Sequence, residues 1–296
     1  VTVEQGQLYP VSKNKNRRDK GAFDTPKHLA RRVAQAAVGS CLVPRNVGFD
    51  PACGTGALLL ALHEQGIPEL YGYDIDALAL SVAKIAVPHA RLTHGDAFST
   101  DVQADVVVGN PPFISVEKQS RDMREDLRKK YPWLSGRFDV SLPFAQLAVD
   151  RCSPSGGVGL ILPEALLTQR YATPLRQRWV ASHQITELSE SHPFPNAAVH
   201  VRVLALSKNE GPGIVPPSGI DALDLARLPM CPLGTQVSSA DIDLVERVRS
   251  RSVTLGELAF VDTGVVAHQP GGSREHLISD TPGEGRVPYA DAKEFF

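Results

Sequence analysis

No apolar run in this 296-residue sequence approaches the ~20 residues that a membrane-spanning helix needs, and the opening stretch VTVEQGQLYPVSKNKNRR lacks the apolar core of a secretory signal. Cysteine is scarce. Cys41, Cys53, Cys152 and Cys231 stand far apart and form no CxxC pair, which argues against a zinc site or a disulfide framework and fits a reducing cytoplasm. The histidines, His192 and His200 among them, show no metal-ligand spacing, so no metal is expected. Nor is charge of one sign in excess. At a net charge of −2, a nucleic-acid partner would have to be met by local concentrations of positive charge. There is no internal repeat and no low-complexity tract. These absences leave an ordinary globular chain, long enough for one large domain and part of a second.

Two local concentrations of positive charge are present. One comprises Lys13, Lys15, Arg17, Arg18 and Lys20. The other comprises Arg121, Arg124, Arg128, Lys129 and Lys130, in a segment with helical periodicity. Taken alone, each reads first as a solvated surface.

Along the chain, short apolar runs alternate with helical stretches. TPKHLARRVAQAAV (25–38) predicts a helix, with Thr25 as cap and Pro26 in its first turn. Strands are predicted at 46–50, 70–74, 91–96, 104–110, 156–163, 184–191 and 198–208, and helices at 56–66, 76–87, 138–152 and 173–182. Strands alternating with helices predict an α/β fold built on a doubly wound, seven-stranded, mostly parallel sheet covered on both faces. NEGPGIVPPSGID then marks a shift to Gly and Pro, followed by a helix at 239–250. The expected organisation is a first domain over 1–210, a linker over 211–235 and an incomplete second domain over 236–296.

In such a sheet, ligands bind at the carboxyl ends of strands where the strand order reverses. DPACGTG (50–56) follows the first strand of the sheet and opens a helix, with Gly54 and Gly56 allowing a tight turn and close backbone approach to a nucleoside cofactor. Asp74 ends the second strand, where a carboxylate can accept from ribose hydroxyls. Asp96 ends the third, where it could accept from an adenine amino group beside the apolar Ala97 and Phe98. A nicotinamide dinucleotide is the rival ligand, but the third glycine of its fingerprint is missing. Cys53 reads as a small packing residue rather than a nucleophile.

Asn110-Pro111-Pro112-Phe113 closes the fourth strand. Together with DPACGTG it resembles the amino-methyltransferases, in which NPPY or NPPF follows strand four of a Rossmann-like fold that binds S-adenosylmethionine. The chemistry accounts for the residues. An adenine amino nitrogen is a poor nucleophile, because its lone pair is delocalised into the ring. The Asn110 side-chain oxygen and the Pro111 carbonyl can accept both amino hydrogens, and proline fixes the turn that aims them. Phe113 can stack on a base that has left the duplex. The motif names the reaction before the substrate: DNA adenine, RNA adenine and protein glutamine all remain open.

Three further features resemble the gamma-class N6-adenine DNA methyltransferases of restriction-modification type. GAFDTPKHLARRV (21–33) is similar to their first motif, with Asp24 where an aromatic usually stands and Phe23 one residue earlier. HPFPNAAVHVRVLALSK (192–208) is similar to their late motif, which puts Phe194 on the opposite face of the flipped base. LGELAFVDTGVV looks like the opening of a target-recognition domain. The resemblance implies cofactor contacts from Thr25, Pro26, Asp50, Ala52, Gly54, Gly56, Asp74, Ile75, Asp96, Ala97, Phe98 and Asn110. It implies a catalytic set of Asn110, Pro111, Phe113 and Phe194. Double-stranded DNA is the implied partner, joined by a restriction subunit or nuclease, with no membrane involved. Asp139 and Glu164 read as helix caps. No nuclease domain is expected before residue 17 of this sequence, and a non-catalytic modification-like subunit remains the reading from a different class.

Overall fold

The computed structural model describes residues 2–4, 7–9, 24–191, 200–208, 213–215, 220–228, 230–233 and 237–253. The chain divides into two units, residues 1–245 and 246–296. Of the second, only residues 246–253 are described. Of the first basic cluster, Phe23, His192, Phe194 and the 254–296 stretch, all lie outside the described residues.

An antiparallel ribbon of β1 (Thr2–Glu4) and β2 (Gln7–Tyr9) precedes helix α1 (Lys27–Ser40). The main fold then runs β3 (Val47–Asp50), α2 (Ala57–Glu64), β4 (Glu69–Asp74), α3 (Ala77–Ala86), β5 (Arg91–His94) and β6 (Ala104–Gly109). It continues with α4 (Arg121–Lys130), α5 (Ser141–Asp150), β7 (Cys152–Pro163), α6 (Glu164–Thr168), α7 (Thr173–Ser182), β8 (Gln184–Ser191) and β9 (Val201–Ser207). A short pair, β10 (Ile214–Val215) with β11 (Ile220–Asp221), leads to α8 (Ala222–Arg227) and α9 (Ser239–Ser250). The seven-stranded sheet has the order β5-β4-β3-β6-β7-β9-β8. β9 lies antiparallel to both its neighbours, and the other pairings are parallel. The order therefore reverses between β3 and β6. The doubly wound sheet is as expected, and its seven strands are the seven apolar runs of the sequence.

The sheet is buried on both faces, which is why its central strands read as unbroken apolar runs. Successive residues point to opposite sides. Val106, Val108, Ile161, Val201 and Val203 pack with α1 and α2, whereas Val107, Leu160, Leu162, Leu204 and Leu206 pack with α5 and α7. Helix α1 lies unusually close to β7. A Cβ built on Gly157 would stand 2.0 Å from the Ala37 carbonyl oxygen, and one on Gly159 would stand 2.7 Å from that of Val33. Only the absence of a side chain at both positions admits this contact.

The stretch read as a linker is not one throughout. Ile220, Ala222, Leu225, Leu228, Cys231 and Leu233 are buried in the same core as α5 and α7. The fully buried guanidinium of Arg176, on α7, fastens this segment by donating to the Met230 and Cys231 carbonyls, and it also donates to that of Leu166. Gly and Pro mark the entrance to the segment, but apolar residues at irregular spacing decide where it packs.

Gly157→Ala forces backbone apart from backbone, and its expected cost is about 3 kcal/mol, at the upper end for an overpacked site. Gly39→Ala, in α1 with open space around it, should instead stabilise by about 0.5–1 kcal/mol through helix propensity. Denaturant midpoints of the two variants check both signs.

Candidate functional site

The carboxyl ends of β3, β4 and β6 meet around the point where the strand order reverses, and the predicted site residues that follow these strands gather there. Asp50 ends β3 and is 1% exposed. Its Oδ1 accepts the Ala52 N–H at 3.0 Å, and its Oδ2, buried, has no partner. Burial pushes this carboxyl up to about 8; the Ala52 N–H pulls it back and the charge of Asp74 adds to the rise. Gly54 and Gly56 adopt positive φ of 53° and 86°, the region that glycine enters without strain. The loop is then tied across to β4: Cys53 donates its N–H to the Tyr73 carbonyl at 2.8 Å, and Gly54 donates to Asp74 Oδ2 at 2.7 Å. Asp74 Oδ1 accepts from the Asp76 N–H at 2.8 Å. Asp74 thus holds the glycine loop from both of its oxygens. Cys53 is buried with its thiol pushed well up by burial, the state of a packing residue.

Ile75 follows Asp74 and leaves 68% of its surface exposed at the strand end, as an apolar contact for a planar ring would. Asp96 is exposed and accepts the Phe98 N–H at 3.0 Å, capping the single turn Ala97–Ser99. Ala97 is buried below it. The Phe98 ring packs edge-on to Phe144 at 4.7 Å between centroids, so at least part of it serves the core.

Across the switch point, Asn110 follows β6. Its Nδ2 donates to Thr25 Oγ1 at 3.1 Å, joining positions 85 residues apart. This corrects the assignment of Thr25 as a helix cap. α1 starts after Pro26, which takes the capping position with no side-chain bond, and the buried Thr25 hydroxyl meets Asn110 instead. Pro111 is buried, and Phe113 is half-buried against the cluster formed by α1 and the sheet.

Residues the sequence did not single out hold the loop after NPPF. Gln119 is 5% exposed and donates from Nε2 to the Phe138 carbonyl at 2.7 Å and to that of Ile114 at 3.0 Å. Val140 N–H donates to the same Ile114 carbonyl. A glutamine inside a polar stretch gives no signal of this in the sequence. Asp139 does act at the start of α5, accepting the Ser141 N–H at 2.8 Å. Glu164 instead opens α6 and takes an ion pair from Arg202 at 2.7 Å.

The second basic cluster occupies α4, but most of its cations are engaged locally. Arg124 donates to the Val116 and Gln119 carbonyls, Arg128 to that of Gly136, and Lys130 to that of Phe98. Arg121 pairs with Glu125 and Lys129 with Asp126, and both remain largely exposed. Among the described residues no His, Cys, Asp and Glu cluster could hold a metal, and no helix is long and apolar enough to cross a membrane.

Comparison with known proteins bears on this geometry. Residues 87–194, about a third of the chain, match the family model of the Eco57I restriction-modification methylase, and residues 35–131 match that of the methyltransferase small domain. The type II methyltransferase M.BanIII of Aneurinibacillus aneurinilyticus is 25% identical over 206 residues, covering 58% of this chain and 35% of that protein. M.VspI of Vibrio sp. (strain 343) is 24% identical over 216 residues, covering 68% and 51%. The chain thus spans between about a third and a half of the length of these relatives. A solved protein of Listeria monocytogenes, described as a class I S-adenosylmethionine-dependent methyltransferase, has the same fold, with a TM-score of 0.54 at 18% identity over 75% of this chain and 69% of that one. The fold and both matched families are those of methyltransferases, and S-adenosylmethionine is the cofactor they share. Within that class the similarity runs to restriction-modification methylases.

The residues fit that cofactor. A buried carboxyl with an unpartnered oxygen is the group that a ligand carrying a positive ammonium and sulfonium would satisfy. In the ligand-free protein the Asp50 carboxyl binds its proton more tightly when folded than when unfolded. Its contribution to stability is therefore complete below about pH 4 and is lost as pH rises through about 8. Melting curves between pH 5 and 8.5 should show the native protein losing stability relative to Asp50→Asn as pH increases; parallel curves would rule out the raised carboxyl.

Proposed function

We propose that this chain is the methyltransferase part of a DNA-modifying enzyme that methylates N6 of an adenine turned out of the duplex. The observation that carries the reading is the position of Asn110-Pro111-Pro112-Phe113 at the carboxyl end of β6, one strand from the Asp50 loop at the reversal of the sheet. The similarity to restriction-modification methylases over 87–194 supports DNA as the substrate.

In this reading Asp50, Ala52, Gly54, Gly56, Asp74 and Ile75 hold the cofactor, with Asp96 and Ala97 at its adenine end. When bound, S-adenosylmethionine supplies an electrophilic methyl group on a sulfonium, which leaves as a thioether. The chain's own contribution is to prepare the nucleophile. The Asn110 oxygen and the Pro111 carbonyl accept the two amino hydrogens, drawing the nitrogen lone pair out of conjugation and towards the methyl group. No side chain forms a covalent bond to the base, and the amino nitrogen gives up a proton to solvent water once its new bond to carbon is made. Phe113 stacks on the extruded base, whose removal from the helix costs a few kcal/mol. Phe194, outside the described residues, is the proposed second face of the stack. Arg121 and Lys129, both largely exposed on α4, are the proposed phosphate contacts, and a restriction subunit or nuclease is the proposed further partner.

Tritiated S-adenosylmethionine offered with plasmid DNA, bulk RNA and protein tests the substrate. Label is expected in DNA as N6-methyladenine, and label confined to RNA or protein would overturn it. Asn110→Ala should lower the transfer rate by about 10²–10³-fold, the loss of one preorganised hydrogen-bonding group; near-normal turnover in that variant would remove Asn110 from the chemistry.

A further inference from the structure

We infer that Thr25 is a positioning residue for Asn110, orienting its carboxamide for the amino group, rather than a cofactor contact. The inference rests on the methyl-transfer reading above. Three observations support it. The Thr25 hydroxyl is buried, with the residue 6% exposed. It accepts a hydrogen bond from Asn110 Nδ2 at 3.1 Å. It does not cap α1, whose capping position belongs to Pro26.

The chemistry gives that bond a consequence. A carboxamide has one end that accepts and one that donates, and the two are close in shape. An amino group presents only hydrogens, so transfer needs the oxygen end turned towards it. With Nδ2 committed to Thr25, Oδ1 is the end presented on the other side. Rotating the amide by half a turn would set Nδ2 against the amino hydrogens, where two donors oppose each other and nothing draws on the nitrogen lone pair. A side chain turned the wrong way, or misplaced by about 1 Å, costs on the order of 10²-fold in a positioned reaction.

The bond also couples two parts of the chain. Thr25 enters through α1, which the bare backbones of Gly157 and Gly159 hold against β7, whereas Asn110 enters through β6.

Thr25→Val removes the acceptor at nearly constant shape, and Thr25→Ser keeps it. Two measurements decide the matter: cofactor affinity and saturated transfer rate by calorimetry and kinetics, and exchange of the Asn110 side-chain amide protons by NMR of protein labelled with 15N-asparagine. Thr25→Val should lower kcat about tenfold or more, leave the cofactor Kd within about twofold and speed exchange of the Asn110 amide. Thr25→Ser should restore both the rate and the slow exchange. A Thr25→Val variant that weakens cofactor binding but keeps its saturated rate would overturn the inference, as would unchanged amide exchange. If the native protein labels no acceptor, the methyl-transfer reading itself fails, and the exchange measurement still decides whether Thr25 holds the amide.

Discussion

The contact on which the site depends is the close approach of α1 to β7. Gly157 and Gly159 leave the strand bare where Ala37 and Val33 cross it, and the register that results reaches the far end of the sheet. A helix rises about 1.5 Å per residue and a strand about 3.3 Å, so four residues of α1 keep pace with two of β7. Val33 lies over Gly159. Moving back six residues, to the start of the helix at Lys27, therefore advances nearly three along the strand, towards its carboxyl end. Thr25 arrives there. β6 runs beside β7 with Gly109 opposite Leu160, so Asn110 arrives at the same edge. The glycines thus fix which end of α1 faces that edge, and the bond between Thr25 and Asn110 is made there.

The two carboxylates beside this contact show how unequal satisfaction separates roles. Asp74 takes backbone N–H groups on both oxygens, from Gly54 and Asp76, and so stiffens the loop that it faces. Asp50 takes one, from Ala52, and is sealed from water. A carboxyl in that state pays for its charge in desolvation, and the neighbouring Asp74 charge makes ionisation harder still. In the ligand-free protein the Asp50 carboxyl therefore keeps its proton through neutral pH, and a cation placed beside it would favour the charged form.

Much of the fold was legible because its signals are local. VVVG in β6 and GLILP in β7 are too apolar for anything but buried strands, and Asp76 at the head of α3 caps it with bonds to Leu78 and Ala79. The glycine loop and NPPF were legible because each motif is continuous in sequence. What could not be read depends on separation. The Thr25 hydroxyl has two uses open to it, a helix end one residue away and an amide 85 residues on, and only packing chooses. Likewise the 220–233 segment looked detached because Pro and Gly surround it, while its burial comes from Arg176 and the face of α7. The cations of α4 read first as a solvated surface. Three of the five instead donate to carbonyls of neighbouring loops, since a long basic side chain can satisfy loop carbonyls near its own helix.

Gln119 extends the same argument to the part of the site that touches nothing reactive. An NPPF turn leaves its strand without the ladder that fixed it, and two prolines contribute no N–H to any new one. The loop must borrow its rigidity. Gln119 supplies donors to Ile114 and Phe138, Val140 adds a bond to Ile114, and Arg124 ties down the Gln119 carbonyl itself. The network closes on a loop that begins with Asn110 and contains Phe113. Its cost is a buried amide oxygen on Gln119 that lacks a partner, a penalty of about 1–3 kcal/mol for an unsatisfied group. A fold that accepts such a penalty next to its most chemically specific turn places more weight on holding Phe113 and Asn110 still than on satisfying every polar atom.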